Sequence, residues 1–86
     1  MKDLESLRAE IDQLDKQLWE IVGKRVDIAR AIGEWKRTHG EQVLQPQRYQ
    51  QVLDQCLRWG REKGINEETV REVMDALHKE SVRVES

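Results

Sequence analysis

The sequence predicts an all-α fold with three helices per chain, one of them very long, that pairs as an intertwined helical homodimer. Three observations lead to this prediction: a heptad pattern of apolar residues, the length of the helix it implies, and a shortage of residues for a core. Hydrophobic and charged residues each make up 37% of the 86 residues. A small chain of this composition buries little apolar surface alone, which favours association.

The first helix is predicted from Leu4 to about Arg37, with Asp3 as its N-cap. Its apolar residues recur at alternating steps of three and four, which is the seam of a coiled coil. They are Leu4, Leu7, Ile11, Leu14, Leu18, Ile21, Ile28, Ile32 and Trp35. Such a helix is about 50 Å long, whereas a compact chain of this size is roughly 30 Å across. The overhanging seam therefore requires a second chain.

One seam position carries an arginine. Arg25 stands where the heptad spacing expects an apolar residue, and Ala29, Ile32 and Lys36 follow it on the same helical face. Arg25 and Lys36 lie about 16 Å apart along the helix axis. We expect this face to line a slot with a cation at each end and a small residue in the middle. Solvated surface charge remains the alternative interpretation of these two cations, and of Arg8 and Arg48.

A second helix is predicted to follow a short turn. Gly40 supplies the permissive backbone for that turn. Pro46 is suited to be the first helical residue, with Gln45 at the cap position. Gly60 is expected to weaken the end of this helix and Gly64 to stop it. The connection between the first two helices is short enough to turn the chain back or to lead it across a dimer.

The third helix is predicted to begin after Asn66, a good N-cap, and to run to the end of the sequence. Ser81 occupies its seam position four residues after Leu77, and Glu85 follows four residues later. Both polar side chains therefore face the same way. The alternative is a frayed terminal turn, in which neither residue has a function.

Composition excludes several classes of function. The net charge is −2 and no basic block occurs, so we expect no nucleic-acid partner. A DNA-binding three-helix protein is also disfavoured, because the acidic side chains of the third helix would repel the phosphates of DNA. No apolar run is long enough to span a membrane, and the N-terminus does not resemble a signal peptide, so we expect a cytoplasmic protein. The single Cys56 is expected to be buried, and His39 and His78 lack ligand-spaced partners, so no metal is expected.

An ordered set of short motifs runs through almost the whole chain. The motifs are Leu7-Arg8, Ile11-Asp12, Leu14-Asp15, Lys24-Arg25, Ile32-Gly33-Glu34-Trp35-Lys36, Gln45-Pro46-Gln47-Arg48 and Glu80-Ser81-Val82. Together they resemble the chorismate mutases of the all-α AroQ class. The resemblance implies one domain over residues 1–86 that rearranges chorismate to prephenate in phenylalanine and tyrosine biosynthesis. It implies no cofactor, and it allows the chain to be a domain of a larger aromatic-biosynthesis polypeptide.

The resemblance also implies a role for each site residue. The reaction is a pericyclic [3,3] shift, so the enzyme must position a dicarboxylate and stabilise negative charge on the ether oxygen. Arginines would clamp the carboxylates, Arg8 reaching in from the partner chain. Lys36, Glu85 and Arg25 would be catalytic, the first two as donors to the ether oxygen. The implied substrate-binding set is Arg8, Arg25, Lys36, Gln45, Arg48, Tyr49, Ser81 and Glu85.

Three positions depart from the commonest family pattern. Gln45 replaces an aspartate, Tyr49 replaces a glutamate that helps to bind the substrate hydroxyl, and Glu85 replaces a glutamine. Two alternative functions remain at this point: a lyase acting on isochorismate in a similar pocket, and a non-catalytic helical dimerisation or regulatory module. Such a module would have no reason to bury Arg25.

Overall fold

A computed structural model describes residues 3–86 as three α-helices. They are α1 (Leu4–His39), α2 (Pro46–Glu62) and α3 (Glu67–Glu85). No strand occurs among these residues. The all-α prediction, with three helices of which one is very long, is confirmed. The pairing of two chains and the extent of the domain stay predictions.

α1 begins and ends as local chemistry dictates. The Asp3 carboxylate accepts a hydrogen bond of 2.8 Å from the backbone N–H of Ser6, as predicted for an N-cap. The helix runs beyond the predicted Arg37 to His39, because Gly40 is the first residue that takes the left-handed conformation, at φ 69°. The Gly40 N–H then donates to the carbonyl of Lys36.

The shorter helices also begin where the sequence predicts. Pro46 is the first residue of α2 and Gln45 its N-cap, although the Gln45 side chain donates to the carbonyl of Gln42 instead of capping the helix. Asn66 caps α3 by accepting from the backbone N–H of Glu68 at 2.8 Å. The last turn of α3 is helical through Glu85 and is therefore not frayed.

Gly60 has a different role from the one predicted. It lies within α2, which continues to Glu62, and it is buried rather than weakening a helix end. A Cβ atom at Gly60 would lie 2.5 Å from Cγ2 of Val70 on α3. Gly60 therefore allows α2 and α3 to approach closely. Gly64 has φ 71° and follows the end of α2, as predicted.

α3 packs against both other helices, whereas no Cα atom of α1 lies within 8 Å of a Cα atom of α2. The buried apolar residues among those described are only Ala29, Leu53 and Val70, and Cys56 is half-buried rather than buried as predicted. The α1 seam from Leu4 to Trp35 stays exposed, each of its apolar residues by between 43% and 63%. The described chain measures 57 × 23 × 15 Å. This elongated shape leaves the seam without a core of its own.

None of the three helices is both long enough and apolar enough to cross a membrane. The cytoplasmic location stays a prediction.

Candidate active site

A cavity of about 480 Å³ opens between the three helices. It brings together seven of the eight residues that the sequence predicted for the site: Arg25, Lys36, Gln45, Arg48, Tyr49, Ser81 and Glu85. The remaining wall is largely apolar and is formed by Ile28, Ala29, Ile32, Val52 and Met74, together with His78. The cavity therefore combines charged groups with a surface suited to a small ring.

Arg25 connects α1 to α3. Its Nη1 donates to the hydroxyl of Ser81 at 2.7 Å and to the carbonyl of Leu77 at 3.3 Å. Both bonds use the same nitrogen, so Nη2 and Nε remain for a ligand. Ala29, one turn further along α1, is buried and leaves space beside the guanidinium. The predicted slot with a small residue between two cations is therefore present as a geometric feature.

Lys36 is held at the other end of this slot. Its Nζ donates to Glu85 Oε1 at 2.6 Å and to the carbonyl of Val43 at 2.9 Å. The side chains of Lys36 and Glu85 are only 12% and 10% exposed. An ammonium has three N–H donors, so these two bonds leave one for a bound molecule.

α2 contributes the third cation and an aromatic stack. Arg48 lies in the first turn of α2, where a cation is mildly unfavourable against the helix dipole. Tyr49 stacks on His78 of α3, with ring centroids 4.1 Å apart and planes inclined by 29°. The sequence predicts no role for His78, which lacks the ligand-spaced partners of a metal site. Its spacing three residues before Ser81 is the signal that places both on one face of α3.

Arg8 is the predicted residue that this cavity lacks. It is exposed in the first part of α1, about 25 Å along the axis from Arg25. A contribution of Arg8 from a second chain stays a prediction.

The charges around the cavity favour an anionic ligand. Its lining carries three cations, Arg25, Lys36 and Arg48, and one carboxylate, Glu85, which gives a formal charge of +2. Because Glu85 is bonded to Lys36, the two arginines are the groups left to pair with a ligand. Forked guanidinium groups match carboxylates in geometry. Over residues 3–86, no cluster of three or more His, Cys, Asp or Glu could hold a metal ion.

Comparison with known proteins agrees with this geometry. Residues 7–86 match the family model of chorismate mutase type II. A 4-amino-4-deoxychorismate mutase of Streptomyces venezuelae is 35% identical over 96% of this chain and 81% of its own length. A protein with the same name from Streptomyces pristinaespiralis is 37% identical, over 95% of this chain and 64% of its own. The T-protein of Haemophilus influenzae is 34% identical over 94% of this chain, which covers only 22% of that longer protein. The match over nearly the whole sequence shows that this chain belongs to the chorismate mutase type II family of enzymes.

Proposed function

We propose that this enzyme rearranges chorismate to prephenate. The observation that carries the proposal is the cavity of charge +2 in which Arg25 and Lys36 are fixed about 16 Å apart along α1. Chorismate carries two carboxylates and therefore matches this charge. An apolar wall from both α1 and α2 can receive its ring.

In this proposal the enzyme acts by positioning and by preorganised electrostatics. Arg25 and Arg48 bind the two carboxylates. The Ser81 hydroxyl accepts from Arg25 and keeps its own proton, which it donates to a carboxylate. The remaining Lys36 proton points to the ether oxygen, where negative charge develops as the carbon–oxygen bond breaks. Because these groups are held before substrate arrives, little reorganisation is needed during the reaction.

The nearest competing substrate is 4-amino-4-deoxychorismate, after which two of the similar proteins are named. This compound carries an amino group in place of the hydroxyl of chorismate. A protonated amine would add positive charge to a cavity that already has a formal charge of +2, and the cavity's one carboxylate is bonded to Lys36. Charge therefore favours the neutral hydroxyl and chorismate. A lyase acting on isochorismate is the other alternative, distinguished by release of pyruvate.

We also propose that two chains form a homodimer with shared active sites. The exposed α1 seam supplies the apolar surface for pairing, and a second α1 lying along the first would carry its own Arg8 to the far cavity. Such pairing would complete the predicted set of three arginines.

This chain matches only part of each T-protein, so the same domain also occurs within longer polypeptides. We therefore propose that this chain can also be a domain of a longer polypeptide.

The deciding experiment compares the three substrates with purified protein. Loss of chorismate absorbance with prephenate as the product is the expected result, with a higher kcat/KM than for 4-amino-4-deoxychorismate. Lys36→Ala is expected to abolish turnover, whereas Lys79→Ala, an exposed lysine paired with Asp75, serves as the matched control. A higher kcat/KM for 4-amino-4-deoxychorismate would contradict the proposal and identify that compound as the substrate. Turnover of none of the three would refute the catalytic function.

A further inference from the structure

The last turn of α3 is attached to α1 in an unusual way. A Cβ atom at Gly33 would lie 2.6 Å from Cα of Glu85 and 2.8 Å from its carbonyl oxygen. Only a glycine allows the two helices to come this close. Next to this contact, Nη1 of Arg37 donates to the carbonyl oxygen of Glu85 at 2.8 Å. The main chain of Glu85 is therefore in contact with α1 at two residues, Gly33 and Arg37, which lie one helical turn apart.

The bond from Arg37 satisfies a group that a helix cannot satisfy itself. The last carbonyls of an α-helix have no partner within the helix. A cation near them supplies a donor and also interacts favourably with the negative end of the helix dipole. Here the donor comes from α1 rather than from α3. The interaction therefore fixes the position of one helix end relative to another helix.

The same residue is also held through its side chain. Glu85 Oε1 accepts from Lys36 at 2.6 Å, and Lys36 precedes Arg37 in the sequence. Consecutive residues of a helix project in directions about 100° apart, so α1 contacts Glu85 with two adjacent side chains from different directions. Lys36 binds the carboxylate and Arg37 binds the carbonyl. The placement of the carboxylate in the cavity is thus linked to the placement of the helix end.

We propose that Arg37 is a positioning residue, which fixes the last turn of α3 on α1 and thereby keeps the Glu85 carboxylate beside Lys36 in the cavity. Arg37 does not line the cavity, so it acts through Glu85 rather than on the ligand. The Arg25–Ser81 bond lies one turn earlier on α3 and is independent of it. The kinetic part of this inference rests on the proposed function, whereas the structural part does not.

The kinetic test uses Arg37→Met, Arg37→Lys and Arg30→Met. Methionine keeps much of the length of the side chain without its donors, and lysine keeps one donor site for the carbonyl. Arg30 is the matched control, because it lies on the same helix, is 58% exposed and forms its ion pair with Asp27 on its own helix. Since small displacements of reacting groups have large effects on rate, Arg37→Met is expected to lower kcat on the order of ten-fold. KM should change by less than about two-fold, because the arginine clamps stay in place.

Two further comparisons distinguish positioning from general stability. Arg37→Lys should recover most of the lost kcat, and Arg30→Met should match the unmodified enzyme. In a Glu85→Ala background, Arg37→Met should have no additional effect on kcat, because the carboxylate through which Arg37 acts is already absent. An unchanged kcat in Arg37→Met, an effect confined to KM, or a full effect in the Glu85→Ala background would each overturn the proposal.

Amide hydrogen exchange gives a readout that does not need a substrate. The backbone N–H of Ser86 donates to the carbonyl of Val82 at 3.0 Å, so its exchange reports on the last turn of α3. Arg37→Met should accelerate exchange of the Glu85 and Ser86 amides, whereas Arg30→Met should not. If the enzyme does not act on chorismate but this acceleration occurs, the proposed function fails and the positioning role of Arg37 stands. Unchanged exchange in Arg37→Met overturns the role regardless of activity.

Discussion

Replacing Arg25 by leucine separates an enzyme from a helical dimerisation module. The substitution removes the guanidinium from the cavity and places an apolar residue at the one seam position that lacks one. A dimerisation module should be stabilised by this change, because its seam becomes continuous. An enzyme that binds a carboxylate through Arg25 should keep its fold and lose activity.

Coulomb's law sets the size of the effect on activity, and the contacts of Arg25 set the size of the effect on stability. A guanidinium and a carboxylate about 4 Å apart near a protein surface attract each other by about 4 kcal/mol, so kcat/KM should fall by about 1,000-fold. The hydroxyl of Ser81 and the carbonyl of Leu77 lose their donor, but they adjoin an open cavity where water can replace it. The free energy of unfolding should therefore change by only about 1 kcal/mol.

The assay follows chorismate absorbance for activity and circular dichroism for thermal unfolding, with Arg30→Leu as the exposed control on the same helix. Arg30→Leu should leave both unchanged. A loss of activity smaller than about ten-fold would refute the carboxylate contact. A loss that follows from unfolding of Arg25→Leu at the assay temperature would show that Arg25 is structural.

Three other outcomes are expected. Glu85→Gln should raise turnover at neutral pH, because the amide oxygen can still accept from Lys36 while the amide N–H donates to the ether oxygen, which an ionised carboxylate cannot do; a loss of turnover would contradict this role. Mixed Arg8→Ala and Arg25→Ala dimers should recover about a quarter of full activity under random exchange, and no recovery despite proven exchange would place both arginines in one chain's site. The Ser6 N–H lowers the pKa of Asp3 below its ordinary 3.8, so the contribution of this cap to stability is complete above that pH and is lost as the pH falls below it. Asp3→Asn should remove this acid-dependent part of the helical signal in circular dichroism, and an unchanged acid profile would contradict it.

The features that the sequence predicted correctly are local ones. The caps at Asp3 and Asn66, the turn at Gly40 and the start of α2 at Pro46 each depend on a few neighbouring residues. The grouping of Arg25 with Lys36 follows from helical spacing alone. For these features, local chemistry and periodicity contain the necessary information.

The features that sequence reasoning missed depend on how α3 docks. The sequence predicts only that Gly60 weakens a helix end, because its packing partner, Val70, lies on a different helix. The bond from Arg37 to the carbonyl of Glu85 has no sequence signature, because any residue supplies a carbonyl. The stack of Tyr49 on His78 likewise requires the relative rotation of α2 and α3. Helical periodicity gives the face of each helix, but not the rotation or the separation of two packed helices.

The backbones of α1 and α2 do not approach within 8 Å, measured between Cα atoms, and the two helices are joined through α3 and a short connection. A ligand that bridges Arg25 or Lys36 on α1 and Arg48 on α2 would therefore act as an additional packing element between them. Its binding energy would then add to the stability of the fold, by about 2.7 kcal/mol at a ligand concentration 100 times Kd. The melting temperature of this enzyme should accordingly rise with the concentration of ligand. Measured in a cell extract, it would therefore report how much of that ligand the extract contains.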